Sequence, residues 1–511
     1  MLVKVKSGAN SGLEMIGIDV EVNVANKGLP GFDIVGLPNK AVAESRERVK
    51  TAIISSKIEF PNKKIIVNLA PADFPKEGAS YDLPIAVGIL ACEYGYFLPK
   101  QSLFFGELSL DGSLRHTKGA LLLALYAKEF GFENVFVPKD SANEAAVVQG
   151  INILPVESLS QLCSHLSKQK LIKPHLYHEG LEEFLMPEFD MREILGQEQA
   201  KRAMEIAAAG GHNILIQGSP GAGKTMLAKA LPGILPLLSE AEALEVTKIY
   251  SAAGQIPVNS SLIRVPPFRA PHHTASAVGL IGGGQRPQPG EISLAHRGVL
   301  FLDEFNEFPR SVLEAMRQPL EDGYLTIARS RERVKYPARF MLVASTNPCP
   351  CGFFNHPKKR CSCSLRMIQK YRQKISGPIL DRIDLHLDVQ PVDLRELSEN
   401  QKAIESLESS ELIRKRVIKA RQIQSQRFFN DSIFVNAEMK NPQIKKYCQI
   451  SKEIEQILQQ ISSKFQLSAR SYLKMIKVAR TIADLDNSQD IQVNHMAEAL
   501  QYRFKNYDGE I

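Results

Sequence analysis

The residues best suited to chemistry begin at Gly218. The run GSPGAGKT (Gly218, Ser219, Pro220, Gly221, Ala222, Gly223, Lys224, Thr225) fits the pattern G-x-x-x-x-G-K-[ST]. Glycines let backbone N–H groups turn toward phosphate oxygens, and a following helix N-terminus adds a favourable dipole. Lys224 would reach the β- and γ-phosphates of a nucleotide, and Thr225 would hold Mg2+. The same octapeptide also occurs as a plain glycine-rich turn, so its flanks decide. A strand-like run, NILIQ, precedes it, and a helix-like run, TMLAKAL, follows it. That is the strand–loop–helix setting the chemistry needs.

Two further strand-like runs end in polar residues. GVLFLDE ends in Asp303 and Glu304. Asp303 suits the Mg2+ shell, and Glu304 suits polarising an attacking water. RFMLVASTN ends in Asn347, which could orient that water. Two residues later a cysteine cluster starts. Cys349, Cys351, Cys361 and Cys363 form C-x-C, nine intervening residues, then C-x-C. Zinc takes four thiolates tetrahedrally, and two close pairs separated by a loop can wrap one ion. The C-x-C spacing is tighter than the usual close pair. An iron–sulfur cluster could use the same thiolates, and unliganded thiols are the plain alternative. His356 is a substitute ligand. The isolated Cys92, Cys163 and Cys448 read as packed side chains.

Elements must position these groups, and the composition allows them. The chain has 511 residues, 44% apolar and 23% charged, which is globular and suits roughly two to four domains. There are 63 Lys and Arg against 56 Asp and Glu, a net charge of +7. That mild excess is compatible with nucleic acid. No apolar run reaches the roughly 18–20 residues of a membrane span. The N-terminus lacks a signal-peptide core. The expectation is a cytoplasmic protein, not bound to membrane, in a compartment that favours metal-bound or free thiols.

The pattern predicts a multidomain α/β chain. Residues 1–170 alternate short strands and helices. Residues 171–190 read as a linker. Over 191–395, buried apolar runs alternate with helical patterns, which argues for a parallel sheet with helices on both faces. Residues 396–511 read as helical.

Three segments then identify a family: PFRAPHHTASAVGLIGGGQRPQPGEISLAHRGVLFLDE, YRQKISGPILDRIDLH and LSARSYLKMIKVARTIADL. They closely resemble the YifB/ComM family of magnesium-chelatase-like AAA+ ATPases, and the resemblance covers nearly the whole chain. It implies an ATP- and Mg2+-dependent homo-hexameric DNA helicase. The family is associated with branch migration during natural transformation, so the implied partners are single-stranded and branched DNA. In that frame Asp303 and Glu304 look like Walker B and Asn347 like sensor 1. Ile194, in ILGQEQAKRA, is similar to the segment that borders adenine. Arg382, in SGPILDRIDL, takes the place of an arginine finger, which acts on a neighbour's γ-phosphate and so implies a ring. Arg470, in LSARSYLK, looks like sensor 2 of a C-terminal helical lid. A surface salt bridge is the plain alternative for either arginine. A protein-remodelling chaperone, as in magnesium chelatase, is the rival function.

Two insertions bear on DNA. RAPHHTASAVGLIGGGQRPQPGE is too rich in Gly, Pro and His for a helix. Its His272–His273 pair could contact phosphate, donate across a subunit interface, or simply pack. YLTIARSRERVKYP reads as a β-hairpin carrying Arg329, Arg331, Arg333 and Lys335. Cations at alternating strand positions share a face, and six copies would line a channel for a single strand. The Lys358–Arg360 run inside the cysteine cluster offers further charge. A metal-held loop beside Asn347 is expected to matter for ring assembly or DNA coupling before nucleotide binding.

The N-terminal segments APADFPKEGASYDLPIAVGIL and GELSLDGSLRHTKGALLLALYAKEFGFENVFVPKD resemble the Lon protease domain. That chemistry needs a Ser–Lys dyad. Ser80 stands where the nucleophile would be, but Leu121 stands where the lysine should be. Lys118 lies one helical turn earlier. The departure argues for a Lon-like fold that serves as a platform rather than a protease.

Overall fold

A computed structural model describes residues 2–36, 40–72, 76, 78–177, 188–256, 261–284, 287–328, 333–391, 407–465 and 468–503. The chain divides into two compact units. One comprises Met1–Glu183 with Glu240–Arg264, the other Phe184–Ser239 with Val265–Ile511.

The first unit is built on β1 (Leu2–Ser11), β2 (Glu14–Ala25), β3 (Gly31–Val35), β4 (Lys64–Ala70), β5 (Ser102–Phe104), β8 (Asn134–Pro138) and β9 (Asn152–Val156), with β6 (Glu107–Leu108) and β7 (Leu114–Arg115) forming a separate hairpin. The main sheet runs β3-β4-β2-β1-β5-β8-β9. β1 and β2 are antiparallel from Leu2↔Asn23 to Ser11↔Glu14. β5, β8 and β9 are parallel. Along β2, Ile18, Val20, Val22 and Val24 are buried while Asp19, Glu21 and Asn23 are not. That period of two marks a sheet with one covered face. The covering helix Asp82–Tyr94 is apolar nearly all round, as burial demands.

Helix Glu240–Ala253 lies far along the chain but packs in this unit. Its Ala252 joins the core of Leu103, Leu121 and Val135. Its Ser251 hydroxyl donates to Glu144, which also accepts from the Leu121 amide at 2.9 Å. Burial pushes the Glu144 carboxyl up, and these donors offset part of that. Leu121 is fully buried, whereas Lys118 is exposed and Ser80 is intermediate. The position matching the Lon lysine is therefore an apolar core side chain.

The second unit holds a five-stranded parallel sheet. Its strands are β10 (Ile214–Gly218), β11 (Phe268–Arg269), β14 (Val299–Leu302), β17 (Met341–Thr346) and β18 (Leu385–Val389), in the order β11-β14-β17-β10-β18. Two small hairpins sit outside it: β12 (Gly282–Gly283) with β13 (Gln288–Pro289), and β15 (Tyr324–Ala328) with β16 (Arg333–Pro337). The sheet core, including Ile214, Val299, Val343 and Leu387, continues into Ile413, Val417, Ile476 and Ile482 of the C-terminal helices. Each fully buried aliphatic side chain contributes about 1.5–3 kcal/mol, so sheet and helices share one core.

Helix Glu198–Gly210 buries Ala203, Met204, Ile206 and Ala207 in this shared core, and the carbonyls of Ala208 and Ala209 accept from Arg421 and Gln424 of helix Ser410–Arg427. A buried ion cluster locks helix Ser410–Arg427 to helix Ala469–Leu485. Arg427 and Arg480 both bind the fully buried Asp484, and Asn436 Nδ2 donates to it at 2.8 Å. The segment 178–187, inside the expected linker, and the segment 392–406, which spans the expected boundary of the helical region, lie outside the described residues. Among the described residues, no helix is long and apolar enough to cross a membrane.

Candidate active site and metal centre

The phosphate-type loop lies where the sequence pattern puts it, between β10 and helix Lys224–Ala230. Gly221 and Gly223 have φ of 79° and 85°, which glycine adopts without strain. β10 is flanked by β17 and β18, so the loop emerges at the carboxyl edge of a parallel sheet, beside the ends of both neighbours. Lys224 is 9% exposed. Its Nζ donates to Gly218 O at 2.7 Å, Ser219 O at 3.0 Å and Asn347 Oδ1 at 3.1 Å. Burial holds its ammonium below the ordinary lysine range, against the pull of Asp303 and Glu304. The Ser219 hydroxyl is buried with no hydrogen-bond partner among the described residues. An orphaned donor beside a buried cation fits an anionic ligand.

Thr225 Oγ1 donates to Asp303 Oδ2 at 2.9 Å. Two hard oxygens side by side suit Mg2+. Asp303 is itself held: the Ser345 hydroxyl at the end of β17 donates to its other oxygen, and so does the Glu304 amide at 3.0 Å. Glu304 leaves β14 with φ 50° and ψ 48°, a left-handed turn that is costly for a residue with a Cβ. The turn lifts the carboxylate clear of the strand. His273 Nδ1 lies 3.4 Å from Glu304 Oε2, and its ring stacks on His272 at 4.1 Å between centroids. Ile194 is buried beyond a 3-10 turn, Met191–Glu193, capped by Asp190. That turn is tied to helix Ser410–Arg427, because the Met191 amide donates to Ser410 Oγ at 2.8 Å.

Arg382 and Arg470 come together at one acidic side chain. Both guanidinium groups bind the Glu321 carboxylate. Arg382 Nη1 also donates to Pro378 O at 2.6 Å. Arg382 beside it, with Arg470 adding, holds the Glu321 carboxyl below the usual range. Lys474, one turn after Arg470, donates to Ile383 O at 2.9 Å. The helix carrying Arg470 is thus fastened to the segment carrying Arg382 at two points.

The four clustered thiols converge. Their Sγ atoms all lie within 4.8 Å of one another. Cys349 is 3.4 Å from Cys351 and 3.7 Å from Cys361, and Cys351 is 3.5 Å from Cys361. A disulfide needs about 2.05 Å, so these are free thiols. A Zn–S bond of about 2.3 Å gives a tetrahedral edge of about 3.8 Å, which these spacings match. The Phe354 amide donates to Cys349 Sγ at 3.3 Å and the Cys363 amide to Cys361 Sγ at 3.4 Å. Of the four, Cys351 is the one pulled down, to about 5, by the Phe353 amide chiefly with help from Ser362, while Cys349, Cys361 and Cys363 lie above the ordinary thiol range, Cys349 chiefly through burial. His356 is not among the four converging ligands; its Nδ1 accepts from the Lys358 and Lys359 amides. Gly352 has φ 80°, and a Cβ there would come within 2.5 Å of Pro220 Cδ. The cysteine loop therefore rests directly on the phosphate-type loop.

The hairpin expected before Asn347 is present. Val334 and Tyr336 are buried while Arg333 and Lys335 are exposed on the opposite face. Lys335 Nζ sits 3.5 Å over the Tyr324 ring. Arg329 and Arg331 lie outside the described residues. The segment expected to be too broken for a helix does form a short one, Ala277–Ile281, because Ser276 caps it by accepting from the Gly279 amide.

Comparison with known proteins places this geometry. Residues 190–397 match the family model for magnesium chelatase, subunit ChlI; 20–141 match subunit ChlI of Mg-chelatase; and 407–503 match the ChlI C-terminal model. A YifB protein from Escherichia coli is 42% identical over 501 residues, 98% of this chain and 96% of its own. The competence protein ComM of Haemophilus influenzae is 41% identical over 507 residues, covering 98% and 97%. The chain belongs to the YifB/ComM family of magnesium-chelatase-like proteins. The 38 kDa magnesium-chelatase subunit of Cereibacter sphaeroides is 28% identical over 176 residues, only 31% of this chain. For this YifB/ComM chain, sequence reasoning missed three partners: Glu321, the His273–Glu304 contact and Gly352 against Pro220. None carries a local signal. Each joins residues far apart in the chain.

Proposed function

We propose that this YifB/ComM protein is an ATP-hydrolysing motor that works as a ring of six copies on single-stranded and branched DNA. The observation that carries the reading is the basic hairpin β15–β16, which leads directly into the strand ending at Asn347, next to Lys224. Charge that can track a nucleic-acid backbone is thereby joined to groups that can sense a γ-phosphate. The name of the Haemophilus relative, a competence protein, supports a role with incoming DNA.

Lys224 and the backbone of Gly218–Thr225 bind the triphosphate. Thr225 and Asp303 would hold Mg2+, which neutralises phosphate charge when bound. Glu304 takes the proton of the attacking water, and Asn347 orients that water while contacting Lys224. Arg382 and Arg470, joined at Glu321, form one cationic unit for a neighbouring copy's γ-phosphate. The cysteine cluster holds one structural zinc. A multi-iron cluster would spread the thiolates over several metals, whereas the observed spacing suits a single ion. The rival reading, a chelatase-type chaperone, leaves the basic hairpin without a task.

The test is migration of a labelled three-strand DNA junction by purified protein with ATP. The reading expects movement with ATP and none with Lys224→Ala. ATP turnover coupled to a protein client, with no junction movement, would favour the chaperone.

A further inference from the structure

We infer, resting on the ATP-hydrolysis reading above, that His273 is a positioning residue that withholds Glu304 from its water until the basic hairpin is engaged. The contact is direct, His273 Nδ1 to Glu304 Oε2 at 3.4 Å. The imidazole nitrogen faces that carboxylate oxygen as a close polar contact. A carboxylate faced in this way has one oxygen diverted from water. Both groups retain solvent access, 28% and 53% of their side chains. A pair this exposed is weak, so a small displacement of His273 releases Glu304.

A continuous set of contacts reaches from His273 to the hairpin. His272 and Thr274 fix the turn: His272 Nδ1 bonds Thr274 Oγ1 at 2.8 Å, and the Ala275 amide donates to His272 O at 2.9 Å. Ser276 then caps helix Ala277–Ile281, which passes straight into β12. Gly282 in β12 is pressed against the hairpin. A Cβ there would come within 2.7 Å of Ile327 Cδ1. The Tyr336 hydroxyl of β16 donates to Pro287 O at 2.6 Å. Tyr336 and Ile327 are buried on the inner face of the hairpin, whose outer face carries Arg333 and Lys335. A nucleic-acid strand that shifts the hairpin therefore pushes on the segment whose other end holds Glu304.

The experiment is steady-state ATP turnover, with and without a single-stranded oligodeoxynucleotide, for wild type, His273→Asn, His273→Gln and Tyr336→Phe. Nucleotide affinity and thermal melting are measured for each to establish folding. Asn is too short to reach Glu304, so His273→Asn raises DNA-free turnover severalfold and brings the DNA stimulation ratio toward one. Gln is long enough to face the same carboxylate oxygen, so His273→Gln stays near wild type. Tyr336→Phe narrows the ratio. The inference is overturned if folded, nucleotide-binding His273→Asn shows DNA-free turnover equal to or below wild type, or if His273→Asn and His273→Gln behave alike. Unstimulated wild-type turnover would sink the DNA reading and with it the release by the hairpin, while the DNA-free comparison still judges the restraint by His273. Turnover retained by Glu304→Gln would remove the ATPase assignment of Glu304 and this inference with it.

Discussion

Arg382 and Arg470 bind one carboxylate, that of Glu321. The two arginines come from different elements, one before β18 and one at the start of helix Ala469–Leu485. A shared anion sets their spacing. Arg382 Nε remains buried without a partner among the described residues, so the guanidinium keeps a donor to offer.

Groups held by one partner act together, and their losses do not add. Arg382→Ala and Arg470→Ala are each expected to cut ATP turnover by about 10³-fold, the usual scale for an arginine finger. The double variant should be little worse than the poorer single one. Glu321→Gln, which keeps shape but loosens the pair, should cost roughly tenfold, about 1.4 kcal/mol of barrier. A double-mutant cycle on turnover reads all three. Multiplied losses would show that the arginines act independently.

Lys224 and Glu304 should separate binding from turnover. Lys224→Ala removes the buried cation that faces Gly218 O, Ser219 O and Asn347. Nucleotide binding, followed with a fluorescent ATP analogue, is expected to fall at least about tenfold. Glu304→Gln should bind as wild type but lose on the order of 10²–10⁴ in turnover, the range for a general base. Equal loss of binding in both variants would contradict the assigned roles.

The cysteine cluster should hold about one zinc per chain, measured by elemental analysis, and Cys361→Ser should lose it. From sequence, metal loss is expected to impair ring assembly or DNA coupling before it affects nucleotide binding. The contact of Gly352 with Pro220 changes that expectation. A slack cysteine loop frees the phosphate-binding loop, so the zinc-free protein should bind ATP roughly tenfold more weakly, about 1.4 kcal/mol. Undiminished ATP affinity after zinc removal would show that the two loops only touch.

What was legible in the sequence was local. A glycine-rich octapeptide between a strand and a helix announces itself, as do acids at the end of a buried strand and four close cysteines. Four strands of the sheet follow from apolar runs that only a two-sided burial explains, whereas β11, two half-buried residues long, carries no such run. What was not legible depends on long-range packing. Glu321 looks like any helix-end acid until Arg382 and Arg470 fold onto it. Helix Glu240–Ala253 has an ordinary amphipathic pattern, and nothing in that pattern says it packs beside Glu144 and Leu121. His272 and His273 read as a DNA contact or a packed pair. The short distance to Glu304 appears only once β11 lies beside β14.

Arg333 and Lys335 share the exposed face of β16. If that face tracks a single strand, each cation removed lowers the slope of log affinity against log salt by about 0.7. Arg333→Gln with Lys335→Gln should therefore lower it by about 1.4, read by fluorescence anisotropy across a salt series. An unchanged slope would take the hairpin out of the DNA path.

The account turns on one coupling, that DNA governs ATP hydrolysis by this chain. The direct measurement is ATP turnover with no DNA and with single-stranded, duplex and branched DNA at fixed salt. The account predicts severalfold stimulation by single-stranded and branched DNA, abolished in Glu304→Gln. Turnover that is identical with and without every DNA would contradict it.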